Sequence, residues 1–85
     1  MYKIIFTNRA VKDLKRISKS EQLKVAAKLK EYAQEPLNYA KKLSSPKIGT
    51  YRFRIGDYRV IFDLEGEDLV VLRIGSRQDI YKATR

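Results

Sequence analysis

Two groups of arginines dominate the chemistry open to this chain. Arg52, Arg54 and Arg59 alternate with aromatic and aliphatic residues in YRFRIGDYRVIFDL, and Arg73 and Arg77 follow in LRIGSR. A guanidinium is planar, permanently charged and able to donate two parallel hydrogen bonds to one phosphate. It is never deprotonated in proteins, so it can bind and polarise a phosphate but cannot serve as a base. Tyr81, four residues after Arg77, adds a ring that can stack on an unpaired base. With its pKa lowered by nearby cations, Tyr81 could instead accept a proton. The chain has no His and no Cys. Imidazole acid–base chemistry, thiolate nucleophiles, zinc–thiolate centres and disulfides are therefore excluded.

Strand periodicity sorts these arginines onto one surface. Side chains alternate along a strand, so Tyr51, Phe53 and Ile55 share one side and Arg52 and Arg54 the other. A two-residue turn at Gly56-Asp57 sets Ile55 opposite Tyr58 and Arg54 opposite Arg59. Tyr58, Val60, Phe62 and Leu64 then face the core, and Arg59, Ile61 and Asp63 face away. If Glu65-Gly66-Glu67 is a three-residue loop, Val70, Leu72 and Ile74 join the core side. Arg73, opposite Arg59, and Arg77 then join the arginine side. Like charges directly opposite one another destabilise a sheet. Folding alone gives no reason to pair Arg54 with Arg59, whereas an anionic ligand does. The alternative is a solvated face whose arginines pair with Asp57, Asp63 or Asp79.

The elements that must carry this face follow from the rest of the pattern. YKIIFT reads as a strand, and Asn8 as the N-cap of a helix with Ala10, Val11, Leu14 and Ile17 on one stripe. Ser20 is positioned to cap a second helix, with Leu23, Ala26, Leu29 and Ala33 on its inner face and Val25 and Tyr32 at the border. Glu35-Pro36 ends it. Residues 37–49 form a connector, and three strand-like runs follow, separated by glycine-containing turns. The fold class is α+β, in the order β-α-α-β-β-β. It consists of an antiparallel-rich sheet with an N-terminal αα-hairpin packed on one face, as a single domain over residues 1–85.

Nineteen Lys and Arg against ten Asp and Glu give a formal net charge of +9. This balance points to an acidic partner such as nucleic acid. The short apolar run Ile4–Phe6 has neither signal-peptide nor transmembrane character. The expectation is a cytoplasmic protein with no membrane partner.

In this order and length, the chain resembles the RelE/ParE superfamily of toxins from toxin–antitoxin pairs. The resemblance runs from Tyr2 to Tyr81. It rests on Glu35-Pro36 followed by Lys42-Leu43, on the stretch from Tyr51 to Phe62, and on Arg73-Ile74-Gly75-Ser76-Arg77 leading to Asp79-Ile80-Tyr81. It implies a type II toxin that is a ribosome-dependent endoribonuclease, cleaving messenger RNA in the ribosomal A site without metal or cofactor. The implied catalytic set is Arg52, Arg54, Arg59, Arg77 and Tyr81, with Arg73, Lys42 and Lys47 contacting RNA. The implied partners are a cognate antitoxin, the ribosome and messenger RNA. Some relatives have Lys at the positions of Arg52 and Arg54, which this chain lacks. Two other readings use the same surface: a ParE-like inhibitor of DNA gyrase, and a non-catalytic module that binds RNA or the ribosome.

Overall fold

The computed structural model describes residues 1–44, 48–76, 78 and 80. Strand β1 (Lys3–Phe6) leads into helix α1 (Asn8–Lys15) and helix α2 (Lys19–Tyr32). A single 3-10 turn at Pro36–Asn38 follows, then strands β2 (Lys41–Lys42), β3 (Tyr51–Ile55), β4 (Tyr58–Glu65) and β5 (Asp68–Ser76). The sheet order is β1-β5-β4-β3-β2, with β1 parallel to β5 and the other pairs antiparallel. The expected α+β order is therefore present. One strand is added: Lys41 and Lys42, inside the expected connector, pair with Arg52 and Tyr51. Two residues are too few to show a strand period in sequence.

Both helices start one or two residues earlier than the cap residues suggested. Thr7, not Asn8, caps α1: its Oγ1 accepts from the Ala10 N–H at 3.2 Å and donates to the Val71 carbonyl at 2.9 Å. Ser18, not Ser20, caps α2, accepting from the Glu21 N–H at 3.3 Å. Each hydroxyl satisfies an otherwise orphaned first-turn donor. Thr7 wins over Asn8 because the same side chain also ties α1 to the neighbouring strand.

The core lies between the helices and one side of the sheet. Ala10 of α1 and Val25, Leu29 and Ala33 of α2 pack with Phe53, Val60, Phe62, Leu69, Val71 and Ile74. The Phe53 and Phe62 rings stack at 4.2 Å, and Tyr32 meets Phe53 at 5.1 Å. The inner stripe of α2 is thus centred on Val25. Leu23, expected inside, is 66 % exposed, and Ala26 is exposed as well.

The first hairpin has the expected register, Ile55 opposite Tyr58 and Arg54 opposite Arg59. Gly56 occupies the first turn position with φ +58°, a conformation open to glycine without steric cost. The second hairpin departs from expectation. Its turn has two residues, Gly66-Glu67, because Glu65 pairs with Asp68. Leu69 and Val71, rather than Val70 and Leu72, are therefore the buried residues of early β5. A β-bulge then shifts the register between Ile61 and Phe62, where Phe62 faces Val71 and Ile61 faces Arg73. The extra residue, Leu72, restores the expected sides beyond it. Ile74 returns to the core, and Gly75, not Arg73, stands opposite Arg59.

A candidate phosphate-binding cleft

The outer side of the sheet is assembled from cross-strand pairs. Arg54, Arg59 and Gly75 form one row across β3, β4 and β5; Lys41, Arg52, Ile61 and Arg73 form the next, reaching β2. Opposed residues in an antiparallel ladder project to the same side. The arginine side therefore exists, but it is not continuous. Ile61 is fully buried on this outer side. The backbone at Gly49 passes so close that a Cβ there would lie 2.5 Å from the Ile61 Cγ2 and 2.9 Å from the Leu72 Cδ1. The Thr50 N–H donates to Asp63 Oδ1 at 2.7 Å, fastening the same segment to β4. This strap covers a small apolar patch between the two ends of the arginine surface.

Arg54 and Arg59 stand at one end, where they line an open cleft of about 570 Å³ with Gly56, Asp57, Ser76 and Gln78. Arg54 is exposed, whereas Arg59 is only 6 % exposed and donates from Nη1 to the Tyr58 carbonyl at 3.3 Å. Among the described residues Arg54 and Arg52 form no ion pair, so Asp57 and Asp63 do not neutralise them. The cleft joins one exposed and one buried guanidinium, a group suited to hydrogen-bonding an anionic oxygen.

The remaining candidates are distributed differently. Arg52 is half-buried beside Lys41 and is not part of the cleft wall. Lys42 pairs with Tyr51 and so belongs to the helix side of the ladder; Lys41, which the sequence pattern did not single out, shares the arginine side. Arg73 sits on the arginine side by register, yet its Nε donates to Asp13 Oδ2 of α1 at 2.9 Å. Arg77, Tyr81 and Lys47, with the possible ion-pair partner Asp79, lie outside the described residues. Ser76, the last residue of β5, and Gln78 just beyond it join the cleft without having been expected there; neither carries a sequence signal. Away from this site, Lys28 on α2 has its pKa raised, chiefly by its hydrogen bond to Glu31.

Residues 4–81 match the family described as ParE toxin of type II toxin-antitoxin system, parDE. The chain belongs to the RelE/ParE toxin superfamily. Toxin RelG of Mycobacterium tuberculosis is 32 % identical over 88 residues, covering 95 % of this chain and 97 % of that protein. The toxin–antitoxin complex RelBE2 from Mycobacterium tuberculosis contains a chain that matches with a TM-score of 0.77 at 26 % identity, covering 89 % of this chain and 98 % of the other. The isolated RelE toxin of Escherichia coli shares the fold, with a TM-score of 0.74 at 22 % identity over 99 % of this chain and 95 % of that one. This chain is accordingly a RelE-type toxin of a type II toxin–antitoxin system.

Proposed function

We propose that this RelE-type toxin is an endoribonuclease that cuts messenger RNA in the ribosomal A site and so stops translation. The observation that carries the reading is the cross-strand pair Arg54–Arg59 opening into one cleft. Cleavage without a metal proceeds by attack of the ribose 2′-OH on the adjacent phosphorus, with departure of the 5′-oxygen. The products are a 2′,3′-cyclic phosphate and a 5′-OH. The protein must align the 2′-OH, stabilise charge on the phosphate and protonate the leaving oxygen. Arg59 and Arg54 are assigned to the phosphate, and Arg52 to a neighbouring phosphate or to orienting the nucleophile. Arg77 is assigned to hydrogen-bonding the leaving oxygen as charge develops on it, with water supplying its proton, and Tyr81 to stacking or to accepting the 2′-OH proton.

The arginines of this set supply no base. The ribosome is proposed to complete the site by holding the messenger bent for in-line attack, so free RNA should be cut poorly. The similar solved chains RelBE2 and RelB–RelE of Methanococcus jannaschii are toxin–antitoxin complexes, which supports a cognate antitoxin for this toxin as well. An acidic or amphipathic antitoxin segment laid over the cleft would suit the +9 charge. The proposed compartment is the cytoplasm, where ribosomes and messenger are found.

The test is mapping of cut sites on a translated messenger. Wild type should cut, while Arg59→Ala and Arg77→Ala should fold but fail to cut; normal cutting by both variants would overturn the site assignment. The family description, ParE toxin, favours a second reading in which the same fold inhibits DNA gyrase. Blocked supercoiling with intact translation would select it.

A further inference from the structure

Strand β5 outlasts its parallel neighbour. The ladder with β1 ends at Phe6 opposite Val71, and Thr7 follows by donating its N–H to the Val71 carbonyl at 3.1 Å. Beyond that point β5 continues to Ser76 with no strand on that edge among the described residues. An unpaired backbone donor there would be costly to bury. Asp13 fills the gap. Its Oδ2 accepts the Ile74 N–H and the Arg73 Nε–H, each at 2.9 Å, and its Oδ1 lies 3.9 Å from the Nε of exposed Arg9. Asp13 is 6 % exposed, and the Arg73 side chain 18 %. One carboxylate thus stands in for the missing strand and neutralises an arginine that belongs, by register, to the phosphate-binding side. Ile74 is followed directly by Gly75, opposite Arg59, and by Ser76, which lines the cleft.

We infer that Asp13 is a positioning residue for the Arg54–Arg59 cleft, and that Arg73 is its internal counter-ion rather than an RNA ligand. Asp13 pins the end of β5 against α1 and so fixes the row Arg54–Arg59–Gly75 that a scissile phosphate must meet. Tying Arg73 to Asp13 removes a competing cation beside the cleft. The inference rests on the cleavage reading above for its catalytic consequence, but not for its geometry.

The test compares Asp13→Ala, Asp13→Asn and Arg73→Ala with Arg54→Thr in the full chain. Asp13→Ala loses the backbone anchor. Its single-turnover cleavage on programmed ribosomes should fall on the order of 10²-fold, the scale of a small misplacement of reacting groups. The ribosome concentration giving half-maximal rate should stay unchanged. Asp13→Asn keeps an oxygen for the Ile74 N–H and should recover most of the rate. A purely structural role predicts wild-type rate for the folded fraction of Asp13→Ala, and that result overturns the inference.

Affinity for a non-cleavable single-stranded RNA, measured across a salt series, tests Arg73. Each lost phosphate contact flattens the log–log slope by about 0.7. Arg54→Thr should show that change and Arg73→Ala should not; a flattened slope in Arg73→Ala shows a phosphate ligand and overturns the assignment. This arm decides the Arg73 assignment even if Asp13→Ala does not fold. Should the wild type neither cut messenger nor bind RNA, the cleavage reading fails by itself. NMR then decides the geometry: Asp13→Ala should displace the Gly75 and Ser76 amide resonances and the Arg59 Nε–H resonance, with Asp13→Asn near wild type. Unmoved resonances in Asp13→Ala overturn the inference.

Discussion

Arg54→Thr should make the toxin fold more stable and bind RNA less well. Arg54 and Arg59 are directly opposed in the β3–β4 ladder, with no ion pair to Arg54 among the described residues. Opposed like charges on a sheet cost about 0.2–1 kcal/mol, and threonine is a good strand residue. Arg54 is exposed, so its removal leaves no cavity. A gain of about 0.5 kcal/mol corresponds to roughly 2–4 °C in Tm for a domain of this size. The RNA side can be worked from counterion release. One lost phosphate contact, at a slope of about 0.7 for single strands, weakens binding about 4-fold at 0.15 M salt and about 8-fold at 0.05 M. The assays are thermal unfolding of the free toxin and fluorescence anisotropy of a non-cleavable RNA oligonucleotide at the two salt concentrations. The two signs must be opposite. A variant that is less stable, or whose RNA affinity and salt dependence equal wild type, would falsify the argument that this pair is kept for an anion.

Three further outcomes follow from the packing. Gly49→Ala should cost about 1–3 kcal/mol in chemical denaturation, since its Cβ would meet the stiff, buried Ile61 at 2.5 Å and the φ of +152° is unfavourable for an L-residue; wild-type stability would show that the strap does not seat on Ile61. Thr7→Ala should cost about 1 kcal/mol and Asn8→Ala much less, because Thr7 caps α1 and also bonds to Val71; equal losses would restore Asn8 as the cap. Phe53→Ala should cost about 3–5 kcal/mol, because Phe53 is fully buried between Tyr32 and Phe62, and a small loss in urea titration would contradict that packing.

The α+β order and the Arg54–Arg59 pair were legible in the sequence, as was a helix end before Pro36, although α2 already stops at Tyr32. Each depends on local rules: side-chain alternation, a proline restriction, and a two-residue turn whose glycine leaves little freedom of register. Such rules lose hold where a choice depends on a distant segment. Leu72 is a bulge residue because β5 must satisfy β4 on one edge, and β1 and then Asp13 on the other. No local pattern announces that insertion. Thr7 took the cap from Asn8 through a bond to Val71, which lies 64 residues away.

The arginine surface shows the same division. Strand period and the first turn placed Arg52, Arg54 and Arg59 on one side of the sheet, and the register agrees; Arg73 reaches that side through the bulge at Leu72, not through the expected three-residue loop. Only the tertiary structure separated them by role. It buried Ile61 under the strap at Gly49, seated Arg59 beside exposed Arg54 in one cleft, and paired Arg73 with a carboxylate 60 residues earlier in the chain. Periodicity reports which side a residue faces. Whether its charge meets solvent, a ligand or a buried carboxylate is set by the segments that pack around it, and long-range packing is not encoded at the residue itself.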